Sequence, residues 1–340
     1  MPAKIIVTLP VNKILLDGAR EQFHPFEVCH QICRSAADVE RLLGAKAEIL
    51  FTNIVPSNIA CCPDLKWVQL ISAGIDHIHD TPVYQAPNIV LTTGRGLFSI
   101  AMAEYALGVM LCLARNLPKA MRFQQERRWT PNSERYHQFS GLELRGKQVG
   151  IIGYGSVGQQ IARLCLAFGM SIKAVRRAQP DSEEARYVLP ELRNLAQPAI
   201  DPVTILPDGL ETLLATSDFV IVAAPLTVDT RGLIDTAAFQ RMRETSYLIN
   251  VSRGAIVDEA ALCTALQTCQ IAGAVLDVFS EEPLPSTSPL YACPNLIITP
   301  HISGIFSGMF DRGFAVFLEN FERYRTGQPL YNTVSRLRGY

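Results

Sequence analysis

No long apolar run, no excess of one charge and no paired-cysteine motif marks this chain of 340 residues, and each absence removes a class of function. Its apolar stretches fall short of the roughly 20 residues that cross a bilayer, so no membrane partner is expected. Lys and Arg number 31 against 32 for Asp and Glu, a net charge of -1. That balance offers no general attraction to the phosphates of nucleic acid, so no nucleic-acid partner is expected either. The opening MPAKIIVTLP reads as a strand and lacks the apolar core and small-residue cleavage site of a secretory signal. Of the nine cysteines none forms a Cys-x-x-Cys pair, and the count is odd. Cys112 and Cys165 lie in apolar, helix-like stretches, where buried thiols are inert. These features predict free thiols in a reducing cytoplasm and no metal site. No internal repeat or low-complexity tract is evident.

What is present is an alternation of strand-like and helix-like segments, which argues for α/β architecture with parallel sheets. Hydrophobic residues make up 48%, enough for a sizeable core in one large or two ordinary domains. Ile5–Leu9, Glu48–Phe51, Lys66–Leu70 and Ile89–Thr92 read as strands, and Ser35–Leu43 as a helix capped by Ser35. An apolar helix over Ser99–Arg115 follows, then a polar, charged stretch, Lys119–Ser140. A second series places six strands at Val149–Ile152, Ser171–Val175, Phe219–Ala223, Tyr247–Asn250, Gly273–Leu276 and Leu296–Thr299, with helices such as Gly158–Phe168 and Asp258–Thr268 between them. This pattern predicts a doubly wound, Rossmann-type nucleotide-binding sheet. Gln179–Pro207 holds five prolines and reads as a surface excursion, and Ile305–Tyr324 as a closing helix that returns to the first domain. The domains are drawn as 1–98 with 303–340, and 99–302.

Gly153-Tyr154-Gly155-Ser156-Val157-Gly158 is a G-x-G-x-x-G turn between an apolar strand and a helix, the context the motif requires. The first glycine permits the tight turn, the second a close approach of pyrophosphate to the backbone, and the third close helix–strand packing. The helix N-terminus adds free N–H groups and the positive end of its dipole. Downstream, Arg253, Asp277 and His301 each follow a strand, and Glu282 stands in a Ser-Glu-Glu-Pro loop. The carboxyl ends of strands in such a sheet open on the ligand crevice, so all three strand-end residues are expected to face a cofactor. Reduction of a 2-keto acid needs a proton donor tunable near neutrality, a guanidinium for the carboxylate, and a carboxylate that holds the imidazole in one tautomer. Taken singly, Arg253 reads equally as a surface cation, Glu282 as a solvated acid and His301 as a core histidine; it is the combination behind a dinucleotide turn that points to chemistry.

With these motifs in hand, the chain resembles the D-isomer-specific 2-hydroxyacid dehydrogenase family over nearly its whole length. The carriers are GIIGYGSVG, AAPLTVDTRGLI, INVSRGAIVDEAAL, AGAVLDVFSEEPLP and NLIITPHISG, in that order. The resemblance implies a Rossmann-type domain beside a smaller flavodoxin-like α/β substrate domain. It implies NAD(P)-linked interconversion of 2-keto acids and D-2-hydroxy acids, with Arg253 binding substrate, His301 as general acid and base, and Glu282 as its partner. The same reading assigns the cofactor to Met102, the glycine turn, Ala224, Pro225, Thr230, Val251, Ser252, Arg253, Asp277, His301 and Ser303. It assigns the substrate to the loop Ser72-Ala73-Gly74-Ile75, with Arg253 and His301. Within Asp76-His77-Ile78-His79-Asp80 the family's role is structural, so no metal is expected there. Met-Ala-Glu-Tyr (102–105) resembles the glyoxylate and hydroxypyruvate reductase branch, and the Ser99–Arg115 helix then implies a homodimer. A catalytically idle NAD(P)-binding corepressor and a phosphite dehydrogenase share the same scaffold and stay open as alternatives. The cofactor choice departs from the NAD pattern. The second strand ends in Arg176-Arg177, eighteen residues beyond Gly158, where NAD-binding folds carry an acid. A guanidinium there pairs with a 2′-phosphate, so NADP is expected over NAD.

Overall fold

The computed structural model describes residues 2–44, 46–176, 188–193, 203–205 and 209–336. The chain divides into two compact units, which take in residues 2–98, 188–193 and 306–336, and residues 99–176, 203–205 and 209–305, respectively.

The first unit is built on a parallel sheet of β1 (Lys4–Val7), β2 (Glu27–His30), β3 (Ala47–Thr52), β4 (Trp67–Leu70) and β5 (Val90–Thr92), in the order β2-β1-β3-β4-β5. This is the flavodoxin-like winding. Strand β2 has the pattern EVCH with its outer residues exposed, so it carries no apolar alternation by which sequence reasoning would find it. Ser35 caps the helix Ala36–Leu42 through Asp38 N–H, as predicted. The closing helix runs over Met309–Arg325, and its apolar face belongs to this unit's core. Phe317 stacks on Phe51 at 5.0 Å and on Trp67 at 5.3 Å between ring centres. A buried polar network ties that helix to the strands. Trp67 Nε1 donates to Thr92 Oγ1, and Thr92 Oγ1 and Asn320 Nδ2 both donate to Gln69 Oε1, each at 2.8 Å. Tyr331 N–H closes the network on Asn320 Oδ1 at 2.7 Å.

The second unit is one seven-stranded parallel sheet in the order β12-β11-β10-β9-β6-β7-β8. Its strands are β6 (Gln148–Ile152), β7 (Ser171–Arg176), β8 (Val203–Ile205), β9 (Phe219–Val222), β10 (Tyr247–Asn250), β11 (Gly273–Leu276) and β12 (Leu296–Ile298). Strands β6 to β11 follow the Rossmann order, reversing between β6 and β9, with β12 added at one edge. The sequence reading gave this sheet six strands. The seventh, β8, pairs with β7 from inside the supposed surface excursion, which also holds a helical turn at Pro190–Leu192; residues 179–187, 194–202 and 206–207 of that stretch lie outside the described residues. A second difference concerns Lys119–Ser140, read only as a polar, charged stretch: the helix Leu117–Gln125 runs into it and the helix Asn132–Phe139 lies within it, both hidden by low mean hydropathy. The apolar helix before them spans Ser99–Ala114. A third concerns cysteine. Cys263, on the helix Glu259–Gln267, and Cys293 form a disulfide across a Cα–Cα distance of 5.7 Å, where free thiols were expected. Thirty residues separate them in the chain, and they meet only because the segment after β11 folds back along that helix. Among the described residues no single helix is long and apolar enough to cross a membrane.

The Gln69–Asn320 network makes a stability prediction. Asn320→Leu strips partners from Gln69 Oε1 and the Tyr331 amide inside a dry core, and should lower urea stability by about 2–4 kcal/mol. An unchanged midpoint would show that the network contributes nothing.

Candidate active site

Because every strand of the seven-stranded sheet is parallel, the residues that follow them gather along one edge. At the end of β6 the chain turns at Gly153 with φ 100°, and a Cβ there would press on the Ala223–Ala224 backbone at about 2.5 Å. A side chain at Gly158 would collide with the Gly153 carbonyl oxygen, so this glycine lets the helix Ser156–Ala167 sit against the turn. Gly155 caps that helix with no side chain of its own, and a Cβ there would meet nothing. The first-turn amides of Ser156, Val157 and Gly158 have no carbonyl partner within the helix and no side-chain cap. This is a cradle shaped for an anion, and the dipole favours one. Tyr154, inside the turn, has a hydroxyl that is buried without a partner, and burial raises its pKa.

On the next strand Arg176 is the last residue of β7, half-buried, with its Nε buried and without a hydrogen-bond partner. The turn and this strand end are joined directly, Gly153 N–H donating to the Val175 carbonyl at 2.8 Å. Arg177 lies outside the described residues. After β9, Ala224 is buried and Thr230 Oγ1 donates to the Pro225 carbonyl at 2.7 Å, which closes the loop on itself.

After β10 the buried Asn250 organises the next turn. Its Oδ1 accepts from Ser252 N–H at 3.1 Å, and its Nδ2 donates to the Arg253 carbonyl at 2.9 Å. Val251 and Ser252 are buried, while Arg253 is half-buried with Nη1 on the Ser252 carbonyl at 2.7 Å. Gly254 lies so close to the Phe279–Ser280 backbone that any side chain would collide with it. The Arg253 turn and the loop that carries Glu282 are thus interlocked.

Glu282 accepts from Phe279 N–H through Oε1 at 2.9 Å and meets His301 Nδ1 through Oε2 at 2.7 Å. The His301 side chain is 51% exposed. Its backbone is left-handed, φ 53°. Asp277 holds that turn. It was expected to face the cofactor, but its carboxylate has no exposed surface and is committed within the protein. Oδ1 accepts from Thr299 Oγ1 at 2.5 Å and from Ile302 N–H at 2.9 Å, and Oδ2 from Ser303 N–H at 2.8 Å. The Asp277 carbonyl takes the His301 amide at 2.9 Å. Met102 is half-buried on the Ser99–Ala114 helix, and Ser303 is buried. Thr299 and its neighbour Tyr105, bonded through their hydroxyls at 2.6 Å, stand in the motifs NLIITPHISG and Met-Ala-Glu-Tyr, which assign neither a site role. The signal for Thr299 was a lone hydroxyl between an apolar strand and His301; Tyr105 was masked by the apolar helix around it.

Ser72, Ala73, Gly74 and Ile75 lie together in the other unit, where β4 ends. Ser72 contributes its carbonyl to Gly94 N–H at 2.8 Å, its hydroxyl is buried without a partner, and among the described residues none of the four amides donates to another backbone group. Such a loop suits an anionic group. The described residues contain no cluster of metal-ligating side chains.

Residues 107–303 match the family described as D-isomer specific 2-hydroxyacid dehydrogenase, NAD binding domain. A D-3-phosphoglycerate dehydrogenase of Archaeoglobus fulgidus is 30% identical over 98% of this chain, which spans 59% of that relative's length. A glyoxylate reductase of Pyrococcus horikoshii is 33% identical over 99% of this chain and 97% of its own. Among solved structures, an NADPH-dependent glyoxylate/hydroxypyruvate reductase from Sinorhizobium meliloti, in complex with NADP and sulfate, is similar with a TM-score of 0.77 at 26% identity, covering 99% of this chain and 100% of that one.

Proposed function

This chain belongs to the D-isomer specific 2-hydroxyacid dehydrogenase family, and from that premise we propose that it reduces small 2-keto acids to D-2-hydroxy acids, with NADPH preferred over NADH. The observation that carries the reading is the His301–Glu282 pair, held at 2.7 Å at the strand edge that also bears the glycine turn. Glu282 Oε2 engages Nδ1 and leaves Nε2 as the nitrogen that delivers a proton to the carbonyl oxygen. The imidazole is half exposed, so it recovers that proton from water between turnovers. Arg253, braced on the Ser252 carbonyl, clamps the substrate carboxylate and polarises the carbonyl.

The residues present fit a dinucleotide. The open first-turn amides behind Gly155 take the pyrophosphate, and Ala224, Pro225, Thr230, Val251, Ser252 and Ser303 border the same edge. When bound, the nicotinamide supplies the hydride. The relative crystallised with NADP supports the cofactor class, and the orphaned Nε of Arg176 supports the preference: a buried guanidinium N–H without an acceptor favours a ligand that brings one, as a 2′-phosphate does. Self-association belongs to the same reading. Leu117, Met121, Trp129 and Tyr136 stand exposed on and between the helices that follow Ala114, and a second copy of the chain covers them.

His301→Gln should lower glyoxylate and hydroxypyruvate reduction by roughly 10²-fold or more with little change in NADPH affinity; a near-wild-type turnover number removes His301 from the chemistry. Arg176→Asp should weaken NADPH far more than NADH, read as kcat/KM for each. The preference is wrong if the unmodified protein uses NADH as well as or better than NADPH. Light scattering at micromolar concentration should give twice the 37.5 kDa chain mass, and a monomer mass would contradict the dimer.

A further inference from the structure

We infer that Tyr105 and Thr299 are positioning residues for the proton donor, acting on His301 through Asp277. The inference rests on the reading of His301 as the acid. Thr299 Oγ1 lies 2.5 Å from Asp277 Oδ1 and 2.6 Å from the Tyr105 hydroxyl. A threonine hydroxyl has one proton, and an ionised carboxylate has none to give. The proton between Thr299 and Asp277 therefore comes from Thr299, and the proton between Tyr105 and Thr299 comes from Tyr105. The chain of donation runs one way, from Tyr105 to Thr299 to Asp277. Burial pushes the Tyr105 phenol up to about 12, with the Asp277 charge adding to the rise, so it keeps its proton through the working pH range.

The end of that chain is the backbone of the proton donor. Through its carbonyl and its two carboxylate oxygens, Asp277 accepts the amides of three successive residues, His301, Ile302 and Ser303. That grip holds His301 in its left-handed conformation, which is what brings Nδ1 onto Glu282. The carboxylate is fully buried, so removing the Thr299 hydroxyl takes one of the two donors from Asp277 Oδ1 and leaves it Ile302 N–H. Tyr105 sits on the Ser99–Ala114 helix and so anchors the His301 turn to a rigid element. Small losses of alignment in a donor of this kind are costly in rate, while the glycine turn that takes the pyrophosphate includes neither Tyr105 nor Thr299.

The test compares Tyr105→Phe, Thr299→Val and Thr299→Ser with the parent protein. Thr299→Val should lower kcat for glyoxylate by roughly 10- to 100-fold, with KM and NADPH affinity within a few-fold of the parent. Tyr105→Phe should lose less, roughly 3- to 10-fold, because the Thr299–Asp277 bond survives. Thr299→Ser should restore the parent kcat. The signature that a purely structural role would not move is the nitrogen resonance of the His301 ring, assigned by its loss in His301→Gln. The parent and Thr299→Ser should show one tautomer, protonated at Nδ1, and Thr299→Val a mixture. The inference is overturned if Thr299→Val keeps the parent's kcat and ring signature, or if Thr299→Ser is no better than Thr299→Val. Should Thr299→Val fail to fold, Tyr105→Phe against Thr299→Ser decides on the same two readouts. If the ring responds as stated while the parent protein turns over no keto acid, the positioning stands and the functional reading falls.

Discussion

The parallel pairing of seven strands decides where chemistry is possible in this molecule. A parallel ladder puts every carboxyl end on one edge, and the reversal of strand order between β6 and β9 opens a gap in the covering helices there. The glycine turn, Arg176, the Arg253 turn, Asp277 and His301 are contributed by five different strands, yet they need no long-range search to find one another, because the sheet aligns them. The close contacts at Gly153, Gly158 and Gly254 follow from the same constraint. At Gly153 and Gly254 two strand-to-helix connections cross at backbone distance, and at Gly158 a helix packs on its own turn; only a missing side chain permits each contact.

Much of this was legible in the sequence, for identifiable reasons. Gly153 and Gly158 announce themselves because close backbone approach leaves one residue type standing. Ser35 and the strands β3, β4, β6 and β10 follow from capping and from continuous apolar runs, which buried parallel strands must have. His301 and Glu282 were readable as chemistry through their place after strands and through a family resemblance, but their 2.7 Å contact was not. The features that escaped notice share a cause. Strand β8 is three residues long and embedded among prolines, and β2 is an edge strand with exposed ends. Both owe their structure to a neighbour's ladder, not to their own pattern. The Cys263–Cys293 bond likewise depends on a fold-back that no local signal encodes.

The buried polar groups of the two units answer the same need by different means. In the first unit, Gln69, Thr92 and Asn320 satisfy one another as neutral partners and lock the closing helix to the strands. In the second, Asp277 is a charge, and it is tolerable in a dry interior because hydroxyl and amide donors surround both oxygens. A neutral network holds elements together, whereas a charged one also orients what it binds, and the residue it orients is the one with a proton to give.

His301 occupies a backbone region that disfavours any residue with a Cβ, at a cost of about 1–3 kcal/mol. Glycine at that position would relax the turn and leave the fold firmer. Heat resistance and reactivity are therefore opposed at one residue of this chain. Selection for endurance alone, in a laboratory or in a lineage that no longer needs the reaction, has a short path to a sturdier and inert protein.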